Sequence, residues 1–294
     1  MPAADAPCPE QAFNATALKW HTCAWLLLPV LVFLAGWMHW YAALPLTLLT
    51  AAGLAPRKRK EPQTRDSLPA FPLFTRSSFL ALAAFAALMA LSGWGEWVNQ
   101  HPDHIVRNAC LRELVASPWP VIFPDGNVLI YNTGFWLVPA LAGKLAGLVV
   151  LWGAWGLFLS WLWLCVFSGR RSLLLALLMA AFGSLLNLQC WLGLNLFRLH
   201  YFGTAEQIMC SANASIPVLL FFIFLASGRM PLYWMPILFA ATAFYSPLAA
   251  LGGLPLAACQ WRRQWKGVLP LRDVLLHPSF SAAVLLGTCF LLYY

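Results

Sequence analysis

Four of the chain's ten acidic residues, Glu96, Asp103, Glu113 and Asp125, fall in one short stretch, and the rest of the sequence is nearly free of acid. Arg107 and Arg112 stand beside them. A carboxylate next to guanidinium groups can accept a proton from a hydroxyl while the cations hold a phosphate. Pro102-Asp103 can begin a helix, and Ile105, Leu111, Leu114 and Val115 give an apolar stripe at helical spacing up to Pro118. Asp103 then occupies the N-cap or first turn. The same residues also fit a plain helix start, since Asp is an ordinary cap and Asp103 to Arg107 an ordinary i,i+4 pair. A second group, Arg198, His200 and Glu206, follows about a hundred residues later in a run broken by Gly193 and Gly203. His200 can shuttle a proton or bind phosphate, though with Leu199 and Tyr201 as neighbours it equally reads as a membrane-interface residue. Asp103 with Glu96 or Glu206 can offer oxygen ligands to Mg2+ or Mn2+.

The elements that position these residues are apolar. Hydrophobic residues make up 61% of the 294 and charged residues 10%, and the mean hydropathy is +0.72, values that exclude a soluble globular domain. Apolar runs lie at Trp25–Leu54, Phe79–Gly93, Leu145–Phe167, Leu173–Leu186, Ile216–Ala226, Leu232–Ala258 and Ala282–Tyr294. A helix needs about 20 such residues to cross a bilayer, and lipid-exposed backbone must satisfy its own hydrogen bonds. The expected fold is therefore an all-α, polytopic integral membrane bundle of about six to eight spans. Residues 1–294 form a single transmembrane domain, with a first large outer loop at 93–143 and a second at 187–215.

Some runs do not divide evenly. Trp25–Leu54 is interrupted at Gly36–Tyr41 and reads either as a hairpin or as one long tilted helix. Ser246-Pro247 divides Leu232–Ala258 and favours a short hairpin there. The last apolar run is short for a span and is expected to stop within the membrane. Met1–Leu18 lacks a basic start followed by an apolar core, so the first run reads as an uncleaved anchor.

Basic clusters at Arg57–Lys60, Arg170-Arg171, Arg229 and Arg262–Arg272 place those loops in the cytoplasm by the positive-inside rule. The acidic stretch then faces outward. Anionic lipid accounts for the net charge of +8, and nucleic acid needs no place in the reading. The 8 cysteines form no zinc spacing, although Cys190 and Cys210 on the outer side can pair. Trp94, Trp97 and Trp119 around the acidic loop can stack on a sugar ring. No phosphate-binding loop, dinucleotide fingerprint or metalloprotease motif occurs.

The run Asp103-x3-Arg107-Asn108-Ala109-x-Leu111-Arg112-x-Leu114, with Trp119-Pro120-Val121, Leu129-Ile130-Tyr131 and Phe135-Trp136-Leu137-Val138-Pro139-Ala140-Leu141-x-Gly143-Lys144, resembles a group of bacterial multi-spanning proteins. That group is similar to GT-C glycosyltransferases, and Ser246–Pro255 is similar to one of its turns. The resemblance implies a sugar donor linked to polyprenyl phosphate, a site at the outer face of the cytoplasmic membrane, and Asp103 as the essential acid of the first large outer loop. Arg107, Arg112 or His200 would neutralise the departing phosphate. The group often carries Lys-His-Asn where this chain has Val106-Arg107-Asn108, and its members run longer at the C-terminus. Two rival readings stand beside it: a transporter of a polar lipid or solute, which needs charged groups along its spans, and a non-catalytic membrane assembly subunit.

Overall fold

The structure is a computed structural model that describes residues 9–55, 75–98, 100, 102–130, 133–143, 147–169, 172–182, 204–265 and 271–293. Every regular element among them is a helix; an isolated antiparallel bridge pairs Ile122 with Val128. In chain order these are α1 (Pro9–Trp37), α2 (Trp40–Leu54), α3 (Arg76–Leu91), α4 (Pro102–Ala116), α5 (Gly134–Leu141), α6 (Gly147–Ser168), α7 (Leu173–Ala181) and α8 (Thr204–Ala226). A short turn of 3-10 helix, Leu232–Trp234, leads into α9 (Met235–Tyr245), followed by α10 (Pro247–Gly252), α11 (Leu254–Trp265), α12 (Leu271–Leu275) and α13 (Pro278–Tyr293).

Three of these are long and apolar enough to cross a membrane: Thr16–Trp37 of α1, Leu148–Ser168 of α6 and Gln207–Ala226 of α8. At 1.5 Å per residue, twenty residues reach about 30 Å, the thickness of the hydrocarbon core. Trp40–Leu54, Arg76–Leu91, Leu232–Tyr245 and Pro278–Tyr293 are apolar but shorter.

Side-chain contacts sort the helix ends into two groups. At one end the Trp20 ring lies 4.8 Å from Trp234, and Trp234 Nε1 donates to the Leu54 carbonyl at 3.1 Å. The start of α1 therefore lies beside the finish of α2, so the two run antiparallel and the Trp25–Leu54 stretch is a hairpin, turning at Met38-His39. Tyr233 stacks on His277 at this same end, with ring centroids 4.1 Å apart. At the other end Trp37 lies 5.3 Å from Trp119, and the Tyr293 hydroxyl donates to the Leu129 carbonyl at 2.8 Å. Helix α13 thus runs from one end to the other alongside α2 and α9.

The centre of the bundle is aromatic. Trp25 of α1 is stacked between Trp152 of α6 (4.9 Å) and Tyr245 of α9 (5.8 Å). Its Nε1 donates to the Trp152 carbonyl and the Tyr245 hydroxyl donates to the Trp25 carbonyl, each at 3.1 Å. Polar atoms in apolar surroundings are costly unless bonded, and here ring edges supply the donors. Gly156 brings α6 close: a Cβ there would sit 2.6 Å from Ile216 Cγ2 and 2.7 Å from Trp25 Cζ2. Small residues at such crossings let helix backbones approach. The break at Ser246-Pro247 is real. Ser246 is extended and its hydroxyl accepts from the Ala249 amide, starting α10.

Candidate functional site

The acidic stretch is described from Gly93 to Ile130 with gaps at 99 and 101, at the Trp37–Tyr293 end of the bundle. Gly93, Gly95 and Glu96 take positive φ of 96°, 95° and 69°. This left-handed path is cheap for glycine and rare for glutamate, and it turns Trp94 inward, where it is 1% exposed. Helix α4 follows, with Asp103 in its first turn.

Of the expected apolar stripe, Leu114 is buried and Leu111 and Val115 pack against the core, while Ile105 turns out. Ile105 is 62% and Val106 55% exposed, whereas His104, Arg107, Asn108, Cys110 and Leu114 are buried. The polar face turns in. Its partner is α8, which is non-helical at Ser211 (φ −153°, ψ 42°). Trp94 Nε1 donates to the Ile208 carbonyl at 2.8 Å. His104 Nε2 donates to the Met209 carbonyl at 2.8 Å, which fixes the hydrogen on that nitrogen. Arg107 Nη1 donates to the Cys210 carbonyl, and Nη2 reaches Ser211 Oγ at 3.5 Å. The Ser215 hydroxyl lies 3.0 Å from the Ser211 carbonyl and 3.3 Å from that of Gln207. Three successive carbonyls, those of Ile208, Met209 and Cys210, are thus met by side chains from outside α8.

Asp103 itself is 55% exposed, with Oδ2 3.6 Å from Arg107 Nη2. The Arg107 guanidinium also lies 5.7 Å from the Trp94 ring centroid. Its Nε is buried with no partner. Arg112 points the other way and pairs with Glu96, both of them solvent-facing. Asn108 donates to Gln100, which in turn donates to the Gly93 carbonyl at 2.9 Å. Burial pushes the Cys110 thiol up to about 12, and the Glu113 carboxylate adds to the rise.

No known protein family, curated protein or solved structure matches this chain. The site has to be read from its own residues.

Of the residues singled out in the sequence, Asp103 and Arg107 come together and Arg112 does not join them. Arg198 and His200 lie outside the described residues, as does Cys190, and the Glu206 side chain is not described. Trp94 is not open for stacking on a sugar, and Trp119 packs against Trp37; Trp97 is 60% exposed. Among the described residues no group of three or more His, Cys, Asp or Glu side chains can hold a metal. Within 93–143, Phe135, Trp136 and Leu137 of α5 are fully buried against the bundle. Within 187–215, Thr204 begins helix α8.

Sequence reasoning missed His104 and the role of Trp94. The signal was present in the spacing. His104, Arg107, Asn108 and Leu111 recur at i, i+3, i+4 and i+7, the period of one helix face.

Proposed function

We propose that the chain is a membrane glycosyltransferase of GT-C type, with about six to eight crossings, taking a sugar from a polyprenyl-phosphate donor at the outer face of the cytoplasmic membrane. Asp103 is the general base toward the acceptor hydroxyl. One observation supports this above the others. The Asp103 carboxylate remains open to solvent while it is steadied by Arg107, whose own side chain is buried. Arg112, Arg198, His200 and Glu206 complete the donor site in this reading. Arg112 leaves Glu96 to meet the phosphate, an exchange that costs little because exposed pairs contribute about 0–1 kcal/mol.

The test is transfer itself. Purified protein given a polyprenyl-phosphate sugar and a hydroxyl acceptor should yield a glycosylated product. Asp103→Asn should cut that rate by roughly 10²–10⁴, the usual contribution of a general base, with thermal stability unchanged because Asn also suits a first turn. Full activity in Asp103→Asn would remove Asp103 from the chemistry.

A second reading is a non-catalytic membrane assembly subunit. It draws support from Arg107 and Arg112, which both spend their donors within the protein. Wild-type protein that forms no product while still binding a membrane partner would favour it.

A further inference from the structure

Helix α11 carries a face that the bundle does not cover. The chain reaches it through α10, which starts at Ser246 just after Phe244 has stacked on Phe290 beside Gly134. Where α10 hands over to α11, a Cβ on Gly253 would overlap Phe222 Cζ, so the backbone there lies directly on α8. From this point α11 packs against α8 and against the 3-10 turn Leu232–Trp234. That turn belongs to the Trp20–Leu54 end of the bundle, so α11 runs back toward it. Ala257 and Gln260 are buried and Trp261 packs on the core, which defines the docked side.

The uncovered side changes character along the helix axis. Leu254 and Leu256 stand exposed in the first turn, Cys259 in the middle, and Arg262 and Arg263 near the end. At 1.5 Å per residue, about 12 Å separates Leu254 from Arg262. Two adjacent guanidiniums repel each other, and neither makes an ion pair among the described residues. The surrounding sequence adds to the charge rather than balancing it. After Glu206 the chain holds Arg229, Arg262, Arg263, Lys266 and Arg272 against one acid, Asp273. Apolar first and cationic second is also the order, from acyl chain to phosphate, that a phospholipid presents to a helix leaving the membrane. A guanidinium meets a phosphate with two parallel hydrogen bonds.

We propose that this face of α11 binds an anionic phospholipid. Arg262 and Arg263 hold its phosphate, and its acyl chains lie along Leu254 and Leu256. The lipid's net negative charge decides the selectivity. Two guanidiniums bring two positive charges to one place, and a zwitterionic headgroup carries its own cation and leaves them unbalanced. An anionic leaflet attracts bases anywhere near its surface. Here the contact of α11 with α8 fixes the direction of the two arginines, and the leucines fix their depth. The site depends on the packing of α11 and not on sugar transfer.

The test presents the full chain, in uncharged detergent, with equal amounts of phosphatidylglycerol and phosphatidylcholine and reads bound lipid by native mass spectrometry. Wild type should retain phosphatidylglycerol in preference. The double variant Arg262→Gln/Arg263→Gln should lower that retention roughly tenfold or more, as two bases near a charged headgroup imply. Both side chains are exposed and unpaired, so its thermal unfolding without lipid should match wild type; if it does not, Arg263→Gln alone carries the test. Arg76→Gln removes the same charge as Arg263→Gln from the exposed start of α3 and should leave retention unchanged. Cys259 reports the place, because phosphatidylglycerol should slow its alkylation by a water-soluble maleimide in wild type and not in the double variant. Equal loss in Arg76→Gln would reduce the effect to diffuse surface charge and overturn the site. Equal retention of the two lipids by wild type, an unaltered double variant, or Cys259 left unshielded would overturn it as well. Displacement of the lipid by inorganic phosphate would show an ion site without use for acyl chains, and dimers in place of lipid-bound monomers would assign the face to a second copy; either result defeats the proposal.

Discussion

Arg107 and Arg112 are the same residue type five positions apart on one helix, yet one guanidinium is buried on backbone carbonyls and the other lies in solvent beside Glu96. Their difference follows from what each face of α4 meets. A sequence pattern sorts residues by polarity, and on that basis Ile105 belongs inside and Arg107 outside. Here the inside offers the carbonyls of Ile208, Met209 and Cys210, which accept from Trp94, His104 and Arg107, and a buried polar group without a partner costs about 1–3 kcal/mol. Donors are therefore drawn in, and Ile105 and Val106 are left facing out. Cys110 shares the inward face, and its behaviour checks this orientation. Because burial holds its thiol un-ionised up to about 12 rather than the ordinary 9.0, alkylation of Cys110 should lag far behind a free small thiol through pH 8–10 and approach it only toward about 12. The sign for stability follows. The folded value is the higher one, so the contribution is whole below about 9 and is lost as pH climbs toward 12. Alkylation of Cys110 that matches the free thiol at pH 9 would mean that this face of α4 is open to water.

The helices themselves were largely legible, because an apolar run without charge has few alternatives in lipid. The breaks were legible in part. Ser246-Pro247 announces itself by residue type, as does the aromatic turn between α1 and α2. The non-helical residue Ser211 does not, and the side chains that meet the carbonyls just before it come from residues 94–107, more than a hundred positions away. Crossing points are similarly hidden in sequence, where one glycine looks like another. Gly156 and Gly287 separate them. Gly156→Ala gains up to about 1 kcal/mol of helix propensity, but its Cβ must fit 2.6 Å from Ile216 Cγ2 and 2.7 Å from Trp25 Cζ2. Overpacking of a dense core costs about 1–3 kcal/mol, so the clash wins and the variant should unfold at lower temperature. Gly287 in α13 has nothing within 4 Å of a Cβ. Gly287→Ala should therefore be neutral or raise stability by roughly 0.5–1 kcal/mol. Thermal unfolding of the two variants in detergent, followed by tryptophan fluorescence, compares them directly. Equal shifts would contradict the close approach of α6 to α1 and α8.

At the scale of the molecule, the two groups of helix ends carry different chemistry. Trp20, Leu54, Tyr233, Trp234 and His277 mark one end. Arg229 and the basic run that begins at Arg57 lie within a few residues of it in sequence. Trp37, Trp119 and Tyr293 mark the other, together with α4 and its acidic neighbours. This separation was foreshadowed by the spacing of charge along the chain, although which helices turn back and which continue was not, because short apolar runs permit both. Basic residues are retained on the cytoplasmic side during insertion, so our reading orients the first end inward and Asp103 outward. The orientation decides whether an extracytoplasmic sugar donor can reach Asp103 at all. Reporter fusions after Lys60 and after Arg171 should therefore signal cytoplasm, and a fusion after Asp125, in the exposed turn between Ile122 and Val128, should signal the outer side. An outer-side signal at Lys60 would invert the molecule. It would leave the α4–α8 contact intact but turn the Asp103 carboxylate toward the cytoplasm, where nucleotide-linked sugars rather than outward-facing lipid donors would be the substrates to try.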